Sequence, residues 1–199
     1  YISETPLDKI AIVPNQEIDD FALNGLVLEN DNSGVIYHSI GVNGAKASDY
    51  NKFRLFNEQL PVLNPDLVII SLGTNESFDK QSGEQYFANL NQMIQGIKDK
   101  NPQACVLVMT PPPSVLHRKY KNTFIEKYAE LIEENANVKN YAVWDLLQVF
   151  GGNKSIKRNA SKGYMARDKV HYSKAGYEKQ GELFFEAFLQ SYELFKSTK

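Results

Sequence analysis

The chain has 199 residues, with 22 Lys and Arg against 24 Asp and Glu, a formal net charge of −2 and 42% hydrophobic residues. That length fits one domain, or one domain carrying a piece of another, and the balance is that of a globular protein with no excess of positive charge for nucleic acid. No apolar run approaches the length of a bilayer span, and a single cysteine, Cys105, excludes an internal disulfide.

In chain order, Lys9 to Val13 and Phe21 to Leu28 read as two short strands joined by Pro14-Asn15-Gln16, with no helix between them. This hairpin-like stretch is expected to end a separate all-β unit. The turn formers from Glu29 to Gly34 mark the boundary, giving expected domains 1–33 and 34–199. The chain opens on Tyr1 rather than Met, so it is expected to continue a longer polypeptide.

Four further apolar runs follow: Val35 to Ile40, Leu67 to Leu72, Cys105 to Met109 and Tyr141 to Trp144. The second and third are rich in β-branched residues and end at Gly73 and at Pro111-Pro112-Pro113, as strands buried on both faces do. Cys105 is expected to be a small buried hydrophobe. Between the strands, Tyr86, Leu90, Met93, Ile94 and Ile97 recur at helical spacing, as do Phe124, Tyr128, Leu131 and Ile132. A closing helix is expected from about Ala175 to Phe195, burying Phe184, Phe188, Tyr192 and Phe195 along one stripe. Strands alternating with helices predict a three-layer α/β/α sandwich around a parallel sheet.

Open α/β sheets place their ligands at the carboxyl ends of the strands. Two glycine-bearing loops fall there: Gly41-Val42-Asn43-Gly44-Ala45 and Gly73-Thr74-Asn75-Glu76-Ser77. A backbone N–H and an Asn carboxamide are donors suited to a developing oxyanion, although Gly and Asn also dominate ordinary turns. A third segment, Asp168-Lys169-Val170-His171, precedes the last helix, with Ser173 placed to cap it. A carboxylate three residues before a histidine can reach Nδ1 within a tight turn, fix the tautomer and leave Nε2 as a general base; the same spacing also occurs in plain surface turns. His38 and His117 read as a strand residue and a solvated loop residue. Three dispersed histidines show no zinc-ligand spacing, so neither metal nor cofactor is expected.

In this order and at strand ends, the three segments resemble the second, third and fifth blocks of the SGNH (GDSL-type) hydrolases, over about residues 34–199. Gly44 matches the block-two glycine and Asn75 the block-three asparagine, while Asp168 and His171 match the block-five pair. Tyr37 to Ala45, Val143-Trp144-Asp145-Leu146, Phe150-Gly151-Gly152, Ser155-Ile156-Lys157 and Gly163 to Tyr177 are further similar to bacterial peptidoglycan O-acetylesterases and related envelope acetylesterases, in which an all-β domain separates block one from block two. The resemblance implies a flavodoxin-like sheet, catalytic His171 and Asp168, an oxyanion hole from Gly44 and Asn75, and an acetylated polysaccharide as substrate in the periplasm or cell envelope. It also exposes a gap. No Gly-Asp-Ser or Gly-x-Ser-x-Gly occurs in the 199 residues, and Ser39, Ser71 and Ser77 are not at strand-to-helix elbows. In the family order the serine strand lies between those expected at 35–40 and 67–72. Either an upstream segment of the parent protein supplies that strand and the nucleophile, which is the expectation here, or Ile10 to Val13 occupies the slot. A non-catalytic carbohydrate-binding relic, and an acyltransferase or thioesterase on the same fold, are the rival readings.

Overall fold

The computed structural model describes residues 3–5, 7–14, 20–23, 25–30 and 32–198, which fall into two compact units, 1–38 and 39–199. Among the described residues of the first unit there is neither helix nor strand. The segments 9–13 and 21–28 form no ladder there, and Asn15 and Gln16 of the connecting turn lie outside the described residues. Ile10, Val13, Phe21 and Leu28 are exposed. A two-stranded hairpin with no second layer to cover it has little to stabilise it.

In the second unit a three-stranded parallel sheet runs in the order β1 (Leu67–Ile70), β2 (Cys105–Met109) and β5 (Ala142–Trp144). The alternation of side chains along these strands builds two cores. Val106 and Val108 of β2 point to one face and Leu107 and Met109 to the other; on β5, Val143 and Trp144 divide in the same way.

The first face is covered by α1 (Ala47–Lys52), α2 (Arg54–Gln59), α4 (Gly83–Lys100) and α5 (Thr123–Lys139). Ser82 and Gln85 start α4 with reciprocal side-chain-to-backbone hydrogen bonds of 3.2 and 3.3 Å. The helix then presents Tyr86, Leu90, Met93, Ile94 and Ile97 as one buried stripe. Tyr86 stacks on Tyr128 of α5, with ring centroids 4.1 Å apart.

The second face is covered by α6 (Leu146–Val149), α7 (Ile156–Ser161) and α8 (Lys174–Ser197), with Phe184 packed edge-on against Trp144. Helices on both faces of a parallel sheet make the α/β/α sandwich that the sequence predicts. An antiparallel hairpin is present as well, formed by β3 (Val115–Leu116) and β4 (Tyr120–Lys121), and a short helix, α3 (Thr74–Phe78), follows β1.

Three further expectations require correction. Val35 to Ile40 is not a strand, and Val35 and Tyr37 are 95% and 80% exposed. Among the described residues no strand pairs with it, Ile10 to Val13 forms no strand either, and β1 is at the edge of the sheet. Cys105 is exposed rather than buried, because it opens β2 at the end of the face shared by Leu107 and Met109. The stripe of α8 is only half covered: Phe184 packs, whereas Phe188, Tyr192 and Phe195 are exposed. A helix of 24 residues spans about 36 Å, roughly twice the length of a five-residue strand, so its second half runs past the sheet.

Candidate active site

Asp168 and His171 occupy a loop that the rest of the second unit pins from several sides. Tyr164 and Ser173 close its base, with Ser173 N donating to the Tyr164 carbonyl at 3.0 Å, and Met165 and Tyr172 form an antiparallel bridge above them. Val115 N donates to the Lys169 carbonyl at 3.2 Å, and the Tyr172 hydroxyl donates to the Pro113 carbonyl at 2.7 Å. Ser173 then caps α8 by accepting from Gly176 N at 3.1 Å. Gly176 is required by the closeness of this packing, since a Cβ there would lie 1.9 Å from the Tyr164 carbonyl oxygen.

Within the loop the two oxygens of Asp168 divide their tasks. Oδ1 accepts from the N–H groups of Val170 and His171 at 2.9 and 3.0 Å, which sets the turn. Oδ2 lies 2.7 Å from His171 Nδ1. With the proton held on Nδ1 by that carboxylate, Nε2 carries the lone pair. Among the described residues Nε2 has no partner, and the imidazole is 72% exposed. Burial alone would raise the Asp168 carboxyl, but the hydrogen bonds from the His171 ring and from the Val170 and His171 amides outweigh it and bring it down to about 2. A carboxyl depressed on folding contributes stability that is present above its unfolded value and lost as pH falls through the folded one. The gap in urea midpoint between the wild type and Asp168→Asn is therefore expected to be full at pH 6 and to shrink between about pH 4 and 2. An equal gap at pH 6 and 2.5 would show that the carboxylate contributes no pH-dependent stability here.

The other two predicted residues meet at a second junction on the same carboxyl edge of the sheet. Gly44 sits in a turn closed by Ala45 N donating to the Val42 carbonyl at 3.1 Å; its φ is 78° and it is exposed. Asn75 is the second residue of α3, and its Nδ2 donates to the Ala45 carbonyl at 2.8 Å. One of the two amide hydrogens is thus used to hold the Gly44 turn against α3, leaving the other for a ligand. Gly73, just before α3, has φ 119°, and a Cβ there would fall 2.4 Å from the Pro111 side chain. Only glycine accepts that conformation and contact together. No hydrogen bond joins the Asn75 pair to the Asp168–His171 pair, but the 111–115 segment touches both, through Pro111 at Gly73 and through Pro113 and Val115 at the His171 loop.

Glu76 is the residue whose part in this arrangement the sequence did not suggest. Its side chain is fully buried, with Oε1 accepting from Ala47 N and Oε2 from Gly73 N, both at 2.9 Å. One carboxylate thereby ties the start of α1, three residues beyond Gly44, to the glycine before Asn75. Lys46 adds an ion pair across the same junction, 2.5 Å from Asp79. Burial holds the Glu76 carboxyl above its ordinary value, more than the hydrogen bonds from Ala47, Glu76 and Gly73 lower it. Glu76→Gln keeps the shape but replaces one acceptor by a donor, so one of the two N–H groups is left unpaired. The expected loss is about 1–3 kcal/mol in urea denaturation, together with faster hydrogen exchange at Ala47 or Gly73; unchanged exchange at both would remove Glu76 from this role.

None of Ser39, Ser71 and Ser77 completes the site. Ser77 is fully buried, donating to the Thr74 carbonyl at 2.6 Å and accepting from Asn122 at 2.8 Å. Ser39 and Ser71 are exposed and make no hydrogen bond to His171. His38 is exposed and outside any strand, and His117 lies in the β3–β4 turn with φ 48°.

Residues 22–179 match the family model described as GDSL-like Lipase/Acylhydrolase family. The chain belongs to this family. Solved structures agree in fold. A peptidoglycan O-acetylesterase superposes with a TM-score of 0.68 at 24% identity, over 74% of this chain and 44% of that one. A lipase/acylhydrolase from Enterococcus faecalis gives 0.55 at 26% identity over 72% and 70%. An acetyl xylan esterase gives 0.60 at 22% identity over 74% and 78%. The chain thus spans less than half the length of the first of these GDSL-like relatives. A comparison with curated proteins found no match. No helix among the described residues is long and apolar enough to cross a membrane.

Proposed function

We propose that residues 39–199 form the acid–base and oxyanion portion of a serine carboxylic ester hydrolase that removes O-acetyl groups from a bacterial cell-envelope carbohydrate. The nucleophilic serine is contributed by a segment outside these 199 residues. The observation that carries this reading is the 2.7 Å contact between Asp168 Oδ2 and His171 Nδ1, with Nε2 open to solvent. Membership of a lipase/acylhydrolase family and folds shared with two acetyl-removing esterases support it. The serine hydroxyl attacks the acetyl carbonyl while His171 Nε2 takes its proton; that proton goes to the departing sugar oxygen, leaving an acetyl-serine, and a water molecule that gives its proton to Nε2 then releases acetate as the serine oxygen takes the proton back. Asp168 keeps the ring in the required tautomer and stabilises the imidazolium. The Gly44 N–H and the second Asn75 amide hydrogen, with the serine's own N–H, receive the oxyanion. In this reading the enzyme needs neither metal nor cofactor, and works in the periplasm or cell envelope where its polysaccharide is found.

The test is turnover of p-nitrophenyl acetate and of an acetylated glycan by two proteins, residues 1–199 alone and the same residues joined to a Gly-Asp-Ser strand segment. Acetate release is expected only from the second and only with His171 intact. Rapid His171-dependent turnover by 1–199 alone would move the nucleophile into this chain, and a His171-independent rate would end the proposal.

A further inference from the structure

Charge is distributed very unevenly along this near-neutral chain. Residues 154–179 carry eight basic side chains against two acidic ones, Asp168 and Glu178, a net of +6; the other 173 residues carry 14 against 22, a net of −8. The basic segment is α7, the loop holding Asp168 and His171, and the first turns of α8. Two of the eight, Lys174 and Lys179, are paired with Glu178 and Glu182 at 3.7 and 3.0 Å. The other six, Lys154, Lys157, Arg158, Lys162, Arg167 and Lys169, make no ion pair among the described residues.

Part of this charge lines a cleft. Arg158, Lys162 and Lys179 line a depression of about 140 Å³ together with Phe150, Tyr164 and Leu183; Lys179 is engaged by Glu182 at 3.0 Å, which leaves Arg158 and Lys162 as its unpaired cations. Tyr164 is partly exposed and leans on Phe150 at 6.1 Å between ring centroids. Cations around a partly exposed aromatic ring are complementary to a sugar that bears a carboxylate, since the ring meets the apolar face of the sugar and the cations its charge. The position of the cleft also matters. Tyr164 is bonded to Ser173 at the base of the loop, and His171 lies two residues farther along, about 7 Å by the rise of extended chain. A sugar seated on Tyr164 therefore lies at the base of the loop that carries His171.

We propose that this cleft binds a carboxylate-bearing polysaccharide, so that the ester presented to His171 belongs to an acidic glycan rather than a neutral one. The proposal rests on the acetylesterase reading for its second half only. Cleft binding itself needs neither a serine nor turnover, and can be measured on the chain as it stands.

The probes are polygalacturonate as the acidic glycan, dextran as the neutral one, and duplex DNA as a polyanion without sugar carboxylates. Binding to residues 1–199 is followed by calorimetry at about 0.1 M salt. Polygalacturonate is expected to bind and dextran not to. The triple change Arg158→Gln, Lys162→Gln, Lys179→Gln is expected to weaken binding at least tenfold, and Lys162→Gln alone severalfold. A control with equal loss of charge elsewhere, Lys52→Gln, Lys100→Gln, Lys127→Gln, is expected to change binding less than twofold. Equal weakening by the two triples, binding of dextran, or DNA binding as tight as polygalacturonate would each overturn the proposal. Specific binding of polygalacturonate with no acetate release by the serine-bearing protein would instead remove the esterase reading and leave the cleft.

Discussion

In the serine-bearing enzyme, His171→Ala is expected to lower kcat by about 10⁴-fold or more and to leave KM nearly unchanged, because the imidazole acts on the proton in flight rather than on bound substrate. Asp168→Asn is expected to cost roughly as much, although it alters only one atom. The Asn Oδ1 can still accept from the amides of Val170 and His171, so the turn keeps its shape. The carboxamide nitrogen, however, stands where Oδ2 now lies 2.7 Å from Nδ1, and it is a donor. The ring must then carry its proton on Nε2, and the general base is lost. The comparison thus separates tautomer control from loop architecture. A kcat within tenfold of wild type for Asp168→Asn, with the fold retained, would leave Asp168 a turn-forming residue and no more.

The pair was legible in the sequence because everything it needs is local. A carboxylate at i can accept from the amides at i+2 and i+3 and still touch the ring at i+3, and Ser173 announces the helix that follows. The strands β1 and β2 and the helices α4 and α5 were legible for a similar reason, since their apolar periods are long enough to fix the element and its buried face. What was not legible depends on partners distant in sequence. Val35 to Ile40 has the composition of a strand, but a strand exists only where another strand pairs with it, and among the described residues none pairs with this segment. The aromatic stripe of α8 has the spacing of a core face, but how far it is covered depends on the length of the sheet beneath it. The part of Glu76 was hidden because nothing in Gly73-Thr74-Asn75-Glu76 reveals that Ala47 N, 29 positions away, is its partner. The basic cleft was hidden for the opposite reason: its cations are spaced four and seventeen residues apart and form no run, while the net charge of the whole chain averages them away.

Asn75→Ala is the variant in which two functions of one side chain must be told apart. The amide nitrogen donates one hydrogen to the Ala45 carbonyl at 2.8 Å and, on the proposed mechanism, a second to the oxyanion. Removing an oxyanion donor costs about 10²–10³-fold in kcat, with little effect on KM, because the bond strengthens only as charge develops. Loss of the tether to Ala45 acts differently, by letting the Gly44 turn drift, and its signature is faster hydrogen exchange across residues 42–47. Glu76 and the Lys46–Asp79 pair still bind α1 to α3 in the variant, so drift is expected to be small. The expected result is therefore a fall in kcat of about 10²–10³-fold, with exchange at Ala45 and Ala47 within a few-fold of wild type. Glu76→Gln supplies the converse, loosening the junction while the Asn75 amide remains in place. If Asn75→Ala and Glu76→Gln lower kcat equally and raise exchange equally, Asn75 acts only as a clasp between two loops. If only Asn75→Ala removes kcat, its second hydrogen is the one that meets the oxyanion.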